Sequence, residues 1–198
     1  MKDILIATNN QGKIKEFLVI LNSLDVRLLT LKEVGLILDV EENGDSYEKN
    51  AIIKATAAAR LSRLVSIADD SGLEVDALGG APGIYSARYA GTSATDKDRR
   101  MKMIEEIKSH QAPYPARFRC SIAIVTPDQT IKTFTGTCEG QIILEERGEH
   151  GFGYDPIFFL PEHSCTMAEL SPEIKNQISH RARAISLAFD YIKSLIQK

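Results

Sequence analysis

The sequence predicts a mixed α/β fold on three observations. Short apolar runs rich in β-branched residues alternate with segments of helical period through the first half of the chain. A block of strand-like alternation occupies the region from Phe118 to Leu144, and a helical stripe closes the C-terminal end. A length of 198 residues is that of one domain, so residues 1–198 are expected to form a single unit.

Ile4-Leu5-Ile6-Ala7 reads as a short buried strand, and Ile14, Phe17, Leu18 and Leu21 follow it at helical spacing. Val26 to Thr30 is a second strand. A polar connection through Glu41-Glu42-Asn43-Gly44 leads to a helix from Asp45 or Ser46, with Asp45 capping, Glu48 three residues on, and Ala51, Ile52, Ala55 and Ala59 as its stripe. The run Leu64 to Ala68 reads as a strand that ends at Asp69-Asp70, where Ser71-Gly72 is a small polar break. In Gly79-Gly80-Ala81-Pro82-Gly83 the glycines permit positive φ and the proline stiffens the chain, so the segment is a held loop.

Thr95 with Asp98 opens a charged helix to Ser109 that turns Met101, Ile104 and Ile107 inward. Phe118 to Val125, Thr130 to Cys138 and Gly140 to Leu144 read as antiparallel strands, with Pro127-Asp128 as a turn. Gly148 to Pro156 is a second glycine-rich loop feeding Ile157-Phe158-Phe159-Leu160, and Ser171-Pro172-Glu173 starts a helix. The last helix, from about Ser179, buries Ile185, Ala188, Phe189 and Ile192.

Composition narrows the function classes. A hydrophobic fraction of 43% with 26% charged residues is ordinary for a chain that buries a full core. A formal net charge of −3 argues against a general grip on duplex nucleic acid, yet leaves room for a local basic pocket that takes a phosphate. Cys120, Cys138 and Cys165 are odd in number and form no CxxC pair, which points away from a disulfide framework or a structural zinc and towards a reducing cytosol. No apolar run has membrane-spanning length, and the first is broken at Thr8-Asn9-Asn10, too soon for a signal peptide. A cytoplasmic protein with neither membrane nor nucleic-acid partners is the expectation.

Four stretches carry chemistry. Thr8-Asn9-Asn10-Gln11-Gly12-Lys13 joins a strand to a helix, which aims backbone N–H groups and the positive end of the helix dipole at a docking anion, with Lys13 adding a full charge. Taken alone, Thr8 with Gln11 also reads as a capping box, and the loop is no Walker A motif. Asn50 and Lys54 lie four apart on one helix face, so an amide and an ammonium reach the same place, although a lone helical lysine is ordinarily a solvated charge. Asp69 and Asp70 repel one another and are costly to desolvate, so they need a cation, a proton or a basic partner; without context such a pair is also simple turn chemistry. In the second glycine-rich loop, Phe152 and Asp155 are the chemical residues.

The stretch from Ala68 to Gly91, ADDSGLEVDALGGAPGIYSARYAG, resembles the signature of the inosine triphosphate pyrophosphatase family, and further blocks agree. They are Ala7-Thr8-Asn9-Asn10 with Lys13; Glu41-Glu42-Asn43-Gly44; Glu48-Lys49-Asn50-Ala51 with Lys54; Gly151-Phe152-Gly153-Tyr154-Asp155-Pro156; and Lys175 followed by Ser179-His180-Arg181. They stand in the family's order and span nearly the whole chain. One variation is Asn9, where many relatives carry glycine; asparagine tolerates left-handed backbone, so the loop is expected to survive.

The resemblance implies a two-lobed mixed α/β fold with a central mixed sheet, an active cleft between the lobes, and a homodimer. It implies hydrolysis of non-standard purine nucleoside triphosphates (ITP, dITP and XTP) to the monophosphate and pyrophosphate, by Mg²⁺-assisted attack of water at the α-phosphorus. Asp70 becomes the general base, Glu41 and Asp70 the first choices for metal ligands, with Asp69 nearby and Glu42 possible. The alternative for Asp69 is to tune Asp70 through like-charge coupling. Thr8, Asn9, Asn10, Lys13, Lys54, Ser71, Phe152, Gly153, Tyr154, Asp155, Lys175, His180 and Arg181 become substrate-binding residues, with Lys13 and Lys54 on the phosphates, Phe152 stacked on the purine, and Asp155 holding the nucleotide or Arg181. Hypoxanthine and xanthine present an acceptor at O6 where adenine has a donor, so a donor from Arg181, His180 or a backbone N–H would select the former.

Overall fold

In the computed structural model, which describes residues 2–197, the first strand β1 (Lys2–Ile6) and the residue after it alternate strictly. Ile4 and Ile6 enter one apolar cluster, Leu5 and Ala7 another, as befits a strand buried on both faces. The first cluster takes Ile14, Phe17 and Leu21 from around α1 (Gln11–Ile20) and Ile185, Ala188 and Ile192 from α5 (His180–Ile196). The second takes Ala51, Ala55, Ala58 and Ala59 from α2 (Tyr47–Ser62), whose alanine stripe allows a close approach to the sheet.

Seven strands hydrogen-bond in the order β2-β1-β3-β4-β5-β6-β7, the others being β2 (Val26–Thr30), β3 (Val65–Val75), β4 (Tyr114–Val125), β5 (Ile131–Ile142), β6 (Phe158–Leu160) and β7 (Cys165–Thr166). Strand β1 pairs in parallel with both β2 and β3, while β5–β6 and β6–β7 are antiparallel, so the mixed sheet flanked by helices is borne out. Since β1 connects to β2 on one side and neighbours β3 on the other, the carboxyl ends of β1 and β3 form a topological switch point, where open α/β sheets place ligands.

The chain divides into two compact units. One comprises Met1–Asp70, Cys120–Gly136 and His180–Lys198, and holds the two clusters above. The other comprises Ser71–Arg119 and Thr137–Ser179; its core gathers Leu73, Met103, Ile107, Phe118, Phe158 and Met167. It also contains α3 (Asp96–Ile107) and α4 (Pro172–Ile178).

Several local expectations are corrected. Strand β3 does not end at Asp69-Asp70 but runs on through Ser71-Gly72 to Val75, because pairing with neighbouring strands outweighs the weak break of one serine and one glycine. The two strands expected on either side of Glu139 are one, β5: Gly140 does not interrupt it, since a Cβ there would come within 2.6 Å of the Phe158 ring and the Phe159 carbonyl, so the glycine serves close approach of β6. Ser46, not Asp45, caps α2, accepting from the Lys49 N–H, and Asp45 pairs with Lys49 at 2.7 Å instead. Asn10 rather than Thr8 caps α1, and Asn9 is not among the residues of positive φ. In α3 the capping box of Thr95 and Asp98 forms as expected, but Met103 is buried where Met101 is 51% exposed.

Candidate active site

Because β3 continues, strand parity sends its two acids to opposite faces. Ile67 and Asp69 share the face covered by α1 and α5; Ala68 and Asp70 share the face covered by α2. Each carboxylate thereby meets its own hydrogen-bond partners, while Lys13 and Lys54 act on both.

Asp69 is fully buried among cations. Its Oδ2 lies 2.9 Å from Lys13 Nζ and accepts at 3.0 Å from Arg181 Nε, while Arg181 Nη1 donates to Glu16 on α1. Burial works against its ionisation, but Lys13 and Arg181 outweigh burial and hold the carboxyl well below the ordinary carboxylate range. Arg181 itself is 1% exposed. The helix that carries it packs Ala184, Ile185 and Ala188 against the sheet, which takes the guanidinium inward with them. This placement is at odds with a donor role for Arg181 towards a purine: its fork is engaged by Asp69 and Glu16.

Asp70 meets a sparser set of partners. Asn50 Nδ2 donates to its Oδ2 at 3.1 Å and Lys54 Nζ to its Oδ1 at 3.4 Å. Burial is the largest influence, and despite Lys54 and Lys13 the carboxyl is pushed above its ordinary value. Asn50 is satisfied at both ends, since its Oδ1 accepts from the Gly44 N–H at 2.8 Å, and so it tethers the Glu41–Gly44 connection to the cluster. That tether brings Glu42 to Lys54 at 3.1 Å, while Glu41 is exposed. Lys54, expected on its own to be solvated, is 9% exposed; burial opposes its charge, but Asp70, Asp69 and Glu42 raise its pKa.

At the mouth of this cluster, Asn10 Oδ1 accepts from the Lys13 N–H at 3.1 Å and Thr8 Oγ1 from the Asn10 N–H at 3.2 Å. Asn9 and Asn10 are exposed. The N-terminal end of α1 therefore presents polar groups where β1 ends. Ser71 is half-buried and His180 buried at the first turn of α5. Glu16 went unread in the sequence, although an acid three residues after Lys13 on a largely apolar helix face was its signal.

The residues fit a hard divalent ion. Asp70 and Glu42 aim carboxylate oxygens at one ammonium, and the buried Oδ1 of Asp69 has no hydrogen-bond partner among the described residues. Mg²⁺ is an ion that takes one or two carboxylates and completes its shell with water and phosphate, so Asp70 with a neighbouring glutamate is a sufficient protein share. A cavity of about 1000 Å³ elsewhere in the same unit, lined among others by Lys2, Arg27, Arg63 and Tyr191, includes none of these groups.

The second unit carries the Phe152 loop. Asp155, buried, accepts on one oxygen from both the Phe152 N–H at 2.8 Å and Lys175 Nζ at 2.6 Å. Lys175 Nζ stands 4.7 Å from the centre of the Phe152 ring, a cation–π distance. Gly151, at φ +80°, leaves the space this needs: a Cβ would fall 2.1 Å from Asp155 Oδ2. Tyr154 is buried with its hydroxyl donating to the Ser86 carbonyl at 2.9 Å, and Gly153 links it to Phe152. The structure thus brings Lys175, from a separate block of the sequence, to the loop of Phe152, Gly153, Tyr154 and Asp155.

Comparison with known proteins agrees with the blocks read from the sequence. A profile described as "Ham1 family" matches residues 4–191. A Bacillus subtilis (strain 168) protein named dITP/XTP pyrophosphatase is 48% identical over 93% of this chain and 94% of its own. One of the same name from Geobacter sulfurreducens is 46% identical over 97% of both chains. Among solved structures, a HAM1 protein from Coxiella burnetii superposes with a TM-score of 0.89 at 40% identity, covering 98% of this chain and 100% of that one. The Staphylococcus aureus Ham1 protein gives 0.86 at 47% identity, covering 98% and 99%. With the fold, the acid and lysine cluster and the Phe152 loop in place, the chain belongs to the Ham1 family.

Proposed function

We propose that this chain hydrolyses non-standard purine nucleoside triphosphates (ITP, dITP and XTP) to the monophosphate and pyrophosphate, with water attacking the α-phosphorus. The observation that carries the reading is the division of labour between adjacent acids. Asp69 is neutralised by Lys13 and Arg181, whereas Asp70 keeps a raised affinity for protons beside Lys54. A carboxylate so placed is suited to orient a water and take its proton. Lys13, Lys54 and the end of α1 with Thr8, Asn9 and Asn10 would neutralise the phosphates, and catalysis is then mostly positioning and charge stabilisation.

Mg²⁺ would be held by Asp70 with Glu42 or Glu41, and when bound would neutralise phosphate charge and acidify water. Asp69 would hold Lys13 through Oδ2 and leave Oδ1 for the ion. Phe152 would stack on the purine. Lys175, a donor-only group over that ring, would favour a base with an acceptor at O6 and meet a donor in adenine. The same reading takes the protein to be a cytoplasmic homodimer of a single functional domain that clears such nucleotides from the pool. The names of the relatives support the substrate class.

The test is incubation of purified protein with ITP, XTP, GTP and ATP, with and without Mg²⁺, following products by chromatography. IMP and pyrophosphate from ITP, in preference to GTP and ATP and only with the ion, is the expected result. Release of IDP first would overturn α-phosphorus attack, and equal rates on all four would overturn the assigned base choice.

A further inference from the structure

Helix α3 does more than cover the second unit's core. Asp96 and Arg100 lie four residues apart, on one face of the helix. Asp96 Oδ2 accepts from the Gly153 N–H at 2.8 Å, and Arg100 Nη1 donates to the Gly153 carbonyl at 2.9 Å. We infer that Asp96 and Arg100 are positioning residues which set the Phe152 platform for the base by gripping both backbone groups of Gly153. The inference rests on reading Phe152 as that platform.

Three features support it. The two bonds fix the peptide planes on either side of Gly153, which sits at φ +62° between the Phe152 ring and the anchored Tyr154. The plane before Gly153 sets the direction in which Phe152 leaves the chain. Next, each gripping group is itself held: Arg99 binds the other oxygen of Asp96, and Arg100 Nε and Nη2 fork onto Glu146 at 3.0 Å each. Finally, Arg100 is largely shielded, with its side chain 13% exposed, so its bonds are poorly replaced by water. A lysine's ammonium lacks the planar fork that takes Glu146 through two nitrogens and the Gly153 carbonyl through a third, so it would reproduce only part of this grip.

The test uses Arg100→Ala and Arg100→Lys in the full chain. Hydrogen exchange of the Gly153 amide without nucleotide, KM and kcat for ITP, and the inhibition constant of inorganic tripolyphosphate, a probe with no base, are measured for each. Arg100→Ala is expected to lower Gly153 protection about tenfold and raise KM about tenfold, with kcat within about twofold and tripolyphosphate inhibition unchanged; Arg100→Lys should recover little of either. A merely structural role would lower protection across the rest of the second unit as well, β6 and α4 included. Unchanged Gly153 protection, or tripolyphosphate inhibition that weakens in step with KM, would overturn the inference. Should the wild-type protein leave ITP intact, the proposed function fails, and Gly153 exchange still decides whether Arg100 positions the loop.

Discussion

Lys54 faces Asp70 at 3.4 Å, each side chain 11% exposed, and Lys175 faces Asp155 at 2.6 Å, with 6% and 4% exposed. The first pair is long, shared with Glu42, and belongs to an acid whose pKa is raised. The second is short, and the same Asp155 oxygen also accepts a backbone N–H. A loose pair can exchange partners when charged ligand arrives; a tight one built into a loop sets shape. Under the proposed function the N-terminal cluster supplies the chemistry and the Phe152 loop the architecture, and each half can be broken separately.

The largest expected effect is on the chemical step. Asp70→Asn keeps the Asn50 contact's size and removes the base, so kcat for ITP should fall by about 10²- to 10⁴-fold while the far-UV spectrum and thermal midpoint stay close to wild type. Retained turnover would remove Asp70 from the general-base role. Arg181→Met breaks the buried ion network instead and leaves Asp69 and Glu16 short of a cation; a loss of about 3–5 kcal/mol in urea unfolding is expected. A midpoint unmoved by that change would mean the network contributes little to stability.

On the loop side, Phe152→Ala should weaken ITP binding by about 1–3 kcal/mol, seen in KM, and leave tripolyphosphate inhibition alone. Equal weakening of both ligands would erase the distinction between the two regions. The smallest effect concerns acid stability. The Gly153 N–H and Arg99 outweigh burial and hold the Asp96 carboxyl below its ordinary range. A depressed folded pKa adds stability above the unfolded value of about 4 and loses it as pH falls through the folded value. Asp96→Asn should therefore flatten the acid limb of the thermal midpoint measured between about pH 3 and pH 7.

Much of this was legible residue by residue. Thr95 with Asp98 announced a helix start, Ser171-Pro172 another, and Gly151 to Pro156 a loop whose members do meet. These are local patterns, decided within a few residues by backbone geometry and capping. Less legible was Ser71-Gly72, a break in sequence that long-range strand pairing overrides. The resemblance ranked Glu41 ahead of Glu42, but which of the two reaches Lys54 was not legible, since it depends on how Asn50 holds Gly44.

What the sequence by itself determined is the inventory: two acids on an apolar strand, lysines on helices, glycines where a loop must turn or admit a neighbour, and an order of blocks that marks the family. What only the tertiary structure decided is the partners each charge meets. Asp69 and Asp70 differ because a strand alternates its faces and because Arg181, 112 positions away, is carried by α5 to one face and not the other. Their proton affinities follow from burial and neighbouring charge, and neither exists until the distant parts of the chain are packed.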